Sequence, residues 1–110
     1  MQKKKLGFGM MRLPIMDPND LASVDLEKTK EMVDVFMERG FTYFDTAWMY
    51  CGFNSENIVR QAVVERYPRE SFTVTTKLHA AYLKADFFPQ CILQLIRLVH
   101  ILLSRQFLPC

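Results

Sequence analysis

Two apolar periods alternate along the first three-quarters of this chain, and that alternation limits its fold more than any other feature. Leu26 to Arg39 reads as a helix, with Leu26, Met32, Val33, Phe36 and Met37 near one face of a 3.6-residue period. Asp25 is its expected N-cap and Gly40 its stop. Residues 41–47 are rich in aromatic and β-branched types and read as a strand. Ser55 to Tyr67 reads as a second helix, capped by Asn54 or Ser55 and closed by Pro68. Its apolar side is Ile58, Val59, Ala62, Val63 and Tyr67. Residues 71–78 complete the rhythm as another strand. Ahead of all these, Leu6–Met11 is a short apolar stretch broken by Gly7 and Gly9, followed by a loop that carries Pro14, Pro18, Asn19 and Asp20.

Strands that start at residues 41 and 71, with a helix between them, have the spacing of a parallel βαβ unit. The fold class is therefore α/β. A right-handed crossover needs a helix with an apolar stripe to lay on the sheet, and both helices offer one. The spacing fits either an open doubly wound sheet or a closed (β/α)8 barrel. No GxGxxG follows a strand, so the dinucleotide fingerprint of the open sheet is missing.

The 110 residues have room for one ordinary domain, and with 50% hydrophobic and 24% charged residues the balance is that of a globular protein. Net charge is +2, and the Lys3-Lys4-Lys5 run has no basic stripe behind it. It reads as a solvated lead-in to the first strand, so no nucleic-acid partner is expected. No apolar stretch of signal length follows it, and a cytoplasmic location is expected. Cys51, Cys91 and Cys110 are odd in number and lack paired spacing, so neither a disulfide framework nor a metal site is expected. Cys51 reads as a small buried hydrophobe.

Near Lys84 the character changes. From Phe87 to Cys110 there is no Asp, Glu, Lys, Gly or Ala, and the only charged side chains are Arg97 and Arg105. The chain is therefore divided at residues 1–84 and 85–110, with an apolar, helical tail expected in the second part. Cys91–Leu103 is apolar nearly all round, but Arg97 interrupts it and it falls short of the roughly 20 apolar residues a membrane span needs. The tail is expected to be an out-of-frame or read-through ending. A helix that binds a partner or a membrane, or one that covers a sheet edge, is the alternative.

Functional groups of parallel α/β folds gather at the carboxyl ends of the strands. Asp45 stands near one such end and Lys77 near the next, with Tyr50 on the loop after the first. Alternation puts Phe41, Tyr43 and Asp45 on one face of their strand, and Thr73, Thr75 and Lys77 likewise on one face of theirs. Phe72, Val74 and Thr76 are left to pack on helices. An acid that protonates an alkoxide can be a phenol, whose ordinary pKa is about 10. An adjacent ammonium favours its ionised form, and a carboxylate holds the ammonium in place. Asp–Lys pairs at strand ends are also common as purely structural contacts.

The ordered set Asp45-Thr46-Ala47-Trp48-Met49-Tyr50, Ser55-Glu56 and Thr75-Thr76-Lys77-Leu78 resembles the aldo/keto reductase pattern. Leu6–Pro14 is similar to the opening of the same family, nearest to its bacterial branch with a C-terminal iron–sulfur domain. The resemblance runs from about Lys4 to Lys84. It implies the first two to three βα units of a (β/α)8 TIM barrel and an ancestral NADPH-dependent reduction of small-molecule carbonyls. By resemblance Tyr50 is the proton donor, Lys77 the ammonium that eases its ionisation, and Asp45 the partner of Lys77. Glu56 matches an acidic helix-start position and reads as a cap. His79 is a candidate substrate contact, and His100 is a stray histidine.

The family's substrate-orienting histidine has no counterpart in context here, nor has most of the cofactor site, and no iron–sulfur cysteine set is present. The 110 residues are thus expected to be inactive alone. Self-association or a completing chain is expected, because a barrel piece leaves sheet edges uncovered. The rival reading is a non-enzymatic half-barrel that associates with a partner or a membrane through its tail.

Overall fold

In the computed structural model, residues 4–77 are described, together with Leu93, Ile96 and Val99. Three short strands, β1 (Gly7–Gly9), β2 (Tyr43–Asp45) and β3 (Thr73–Thr75), form a parallel sheet in the order β1-β2-β3. Phe8 pairs with Phe44 and Phe44 with Val74, so the strands are in step. The strands are shorter than residues 41–47 and 71–78, yet pairing continues at their ends. Thr73 N donates to Thr42 O, Thr46 N to Thr75 O, and Trp48 N to Lys77 O.

Helix α1 (Leu26–Glu38) joins β1 to β2. The Asp25 side chain accepts from Lys28 N, the cap bond that an Asp at this position can make. At the other end Gly40 sits at φ 85°, with Gly40 N bonded to Met37 O and Phe41 N to Phe36 O. That pair of bonds is a Schellman motif, and only glycine enters its left-handed residue freely. Lys4 adds a cation from outside: its Nζ donates to Arg39 O and lies 5.2 Å from the Phe41 ring centroid. The buried line on α1 is Thr29, Val33 and Phe36. Met32, expected on the apolar face, is exposed, because it stands one residue and about 100° away from that line.

The crossover from β2 to β3 differs most from expectation. It opens with a single turn, α2 (Tyr50–Phe53), in which Cys51, Gly52 and Phe53 are left-handed at φ 54°, 58° and 67°. Helix α3 (Ser55–Val59) follows and continues into a π-helical turn over Arg60–Val64, where Glu65 N reaches back to Arg60 O. The regular helix expected to Tyr67 therefore ends early. A π turn holds an additional residue per circuit. Val64, which would face outward on a regular α-helix, is brought into the core and is fully buried beside Val59, Ala62 and Val63.

Among the described residues the core lies on one side of the sheet. Phe8, Phe44 and Val74 point toward α1 and α3, and Phe36 is the hub. Its ring centroid is 5.3 Å from that of Phe8, 5.2 Å from Phe44 and 5.2 Å from Phe41. The sheet's other face carries Gly7, Gly9, Tyr43, Asp45, Thr73, Thr75 and Lys77. Tyr43 lies flat across it, its hydroxyl donating to Thr75 Oγ1. A Cβ on Gly7 would come within 2.7 Å of the Tyr43 ring, so that close approach requires glycine.

Beyond residue 77 only Leu93, Ile96 and Val99 are described, each helical and exposed. The expectations for Leu78, His79, the division at residue 84, His100, and the tail as a whole fall outside the described residues. Among the described residues no helix is long and apolar enough to cross a membrane.

Candidate active site

The parallel register decides where the charged residues meet. Asp45 is the last residue of β2, paired in register with Thr75, and Lys77 lies two residues beyond that partner on the same face. Lys77 Nζ donates to Asp45 Oδ2 at 2.8 Å, to Thr46 O at 2.9 Å and to Tyr50 Oη at 3.3 Å. It also lies 4.9 Å from the centroid of the Tyr50 ring. The structure thus brings together the three residues singled out from sequence. The Thr46 carbonyl is a fourth partner that no side-chain pattern could have indicated.

Partial burial alone would lower the Lys77 pKa. Hydrogen bonds to Asp45 and Tyr50, with the Asp45 charge, outweigh it and leave the group above the ordinary lysine value. Lys77 is therefore a persistent ammonium. The Lys77 and Asp45 side chains are 43% and 33% exposed, so the ion pair is screened and contributes no more than about 1 kcal/mol to stability. It orients groups more than it holds the fold.

Tyr50 owes its place to the strained turn that follows it. Non-glycine residues cost roughly 1–2 kcal/mol each in the left-handed region, and Cys51 and Phe53 both occupy it. The turn is held from below. Asn54 Nδ2 donates to Ala22 O, and the buried Cys51 thiol points at Met10 O and Met11 O at 3.4 and 3.5 Å. Burial pushes the Cys51 thiol pKa up, so it stays protonated and packs as an apolar group.

Behind the site lies a buried polar layer. Ser55 Oγ donates to Met10 O at 2.8 Å and lies 2.7 Å from Thr46 Oγ1. Glu56, expected as a cap, makes no capping bond. It is 2% exposed, and its Oε1 accepts from Thr76 Oγ1 at 2.5 Å. Burial raises its pKa more than the Thr76 bond lowers it. Sequence reading missed this role because an acid in a first helical turn fits the helix dipole equally well.

Among the described residues nothing lies within 4 Å of where a Cβ on Gly9 would stand, opposite Asp45 in the sheet. Among the described residues no cluster of three or more His, Cys, Asp or Glu could hold a metal. An apolar groove of about 530 Å³, lined by Leu6, Phe8, Met32, Val35, Phe36 and Phe41, is on the opposite, helix-bearing side of the sheet and belongs to packing rather than to this chemistry.

No curated protein matches the chain. Among solved structures, a thermostable aldo-keto reductase crystallised with the inhibitor epalrestat superposes with a TM-score of 0.52 at 24% identity, over 92% of this chain. The chain spans 32% of that reductase's length. At this identity the likeness is one of fold, and the three parallel strands with their helices are consistent with part of a (β/α)8 barrel. The profile of the aldo/keto reductase family matches residues 5–98, most of the sequence, and the chain belongs to that family.

Proposed function

We propose that Asp45, Tyr50 and Lys77 are the proton-delivery half of an NADPH-dependent carbonyl reductase. One observation carries this reading: a single ammonium, Lys77 Nζ, touches both the Asp45 carboxylate and the Tyr50 hydroxyl. A reduced nicotinamide would lie on the sheet face of Gly9 and Asp45, where no described residue stands within 4 Å of a Cβ built on Gly9. When bound, the cofactor supplies a hydride to the carbonyl carbon. The chain's own residues handle the proton. The new alkoxide takes the Tyr50 hydroxyl proton, and the phenolate left behind faces Lys77. An ammonium at such a range favours a negative oxygen by about 1–4 kcal/mol, depending on how well water is excluded. Asp45 and the Thr46 carbonyl keep the ammonium aimed. A cytoplasmic location goes with this reading, since three cysteines without paired spacing suit a reducing compartment.

The 110 residues alone are expected to be inactive. They span 32% of the comparison reductase's length. The test is a chimera in which this chain replaces the matching third of that reductase. A folded chimera should bind NADPH with saturable fluorescence quenching and reduce aldehydes, and Tyr50→Phe should cut turnover roughly 100- to 10,000-fold. The isolated chain should show no saturable quenching. A folded, NADPH-binding chimera whose Tyr50→Phe form is equally active would end the proposal.

A further inference from the structure

The sequence pattern gives Glu56 only the part of a helix cap, and it makes no capping bond; it is a buried acid with one oxygen, Oε2, unpartnered among the described residues. Its position explains it. The first two residues of α3 grip the ends of all three strands. Ser55 binds Met10 O just past β1 and Thr46 just past β2, and Glu56 binds Thr76 just past β3.

Regular pairing of β3 stops at Thr75, so the next two residues need another constraint on which way they face. Side chains alternate along an extended chain. Holding Thr76 on the helix side therefore turns Lys77 to the open side, where its Nζ finds Asp45, Thr46 O and Tyr50. Among the described residues the other tie on this segment is the Trp48 N bond to Lys77 O, at 3.2 Å.

We propose that Glu56 is a positioning residue for the site, acting through Thr76 to fix the direction of the Lys77 side chain. It touches no reacting atom, and what Thr76 needs from it is a hydrogen-bond acceptor. A glutamine carbonyl serves equally well. This inference rests on the reading of Asp45, Tyr50 and Lys77 as one site.

The experiment reads the Lys77 ammonium directly. In the 110-residue chain labelled with 15N-lysine, a hydrogen-bonded ammonium gives a slowly exchanging Nζ–H signal, assigned to Lys77 by its loss in Lys77→Met. The signal should persist in Glu56→Gln and Thr76→Ser, and disappear in Glu56→Leu and Thr76→Val while the backbone amide fingerprint elsewhere is kept. A folded Thr76→Val chain with the signal unchanged would overturn the proposal. So would collapse of the whole fingerprint in both Glu56→Leu and Thr76→Val, which would make the contact a requirement of the core. Absence of the signal from the unsubstituted chain would instead overturn the Asp45–Tyr50–Lys77 site itself. Failure of the chimera to reduce carbonyls leaves these outcomes untouched.

Discussion

Two ionisable residues on opposite faces of the end of β3 respond oppositely to their surroundings. Lys77 lies at the solvent edge among oxygens and keeps its charge. Glu56 is sealed behind it with one hydroxyl donor, and burial favours its neutral form. For a carboxyl whose pKa is raised on folding, the folded state binds the proton more tightly. Its stabilising contribution is complete below the unfolded value, near 4.5, and is lost as pH rises through the folded value. Glu56→Gln removes that loss. The difference in Tm between Glu56→Gln and the parent should therefore be more positive at pH 7 than at pH 4. An identical difference at both would show that Glu56 ionises as freely folded as unfolded. The meeting of Asp45, Tyr50 and Lys77 was legible because strand ends and the loop after them are where parallel folds collect function. Glu56 was not, because its neighbour Thr76 is twenty residues away in sequence.

At the scale of elements, α1 was readable almost to the residue. Its signals are local: an Asp that caps, a glycine that ends it, and an apolar stripe at helical period. The β2–β3 crossover was not, and its departures come from tertiary contacts. The left-handed run Cys51–Phe53 is wedged against Ala22, and a Cβ on Gly52 would stand 3.1 Å from Ala22 N and 3.2 Å from Ala22 Cβ. Gly52→Ala should thus combine backbone strain with a clash, at roughly 1–3 kcal/mol. In a chain of this size that lowers Tm by about 5–15 °C in a thermal scan. Gly9→Ala, with no described residue within 4 Å of the new Cβ and no left-handed backbone, should leave Tm within a few degrees. Equal losses at the two positions would show that the turn is not under strain. The π turn had no sequence sign either, since Ile58, Val59, Ala62 and Val63 suit a regular helix equally well. Only the seating of Val64 in the core separates the two.

At the scale of the whole molecule, the described residues give the sheet one packed face and open borders. Among the described residues β1 and β3 each have one edge without a neighbour, and the groove beside β1 exposes Leu6, Met32 and Val35. Parallel strands rarely stand uncovered, and open edges invite pairing. At tens of micromolar the 110-residue chain should sediment as species larger than a monomer, with the proportion rising with concentration. A single monomeric boundary across that range would show that these borders are covered in solution.

Sequence alone was enough for the class of fold, the helix α1 with its caps, and the candidate trio, because those depend on period, on capping chemistry and on a short ordered motif. Tertiary structure alone decided the π turn, the left-handed turn under Tyr50, and the burial of Glu56 against Thr76. Each of these is settled by contact between residues far apart along the chain, and packing forces, unlike local preference, leave no mark on neighbouring letters.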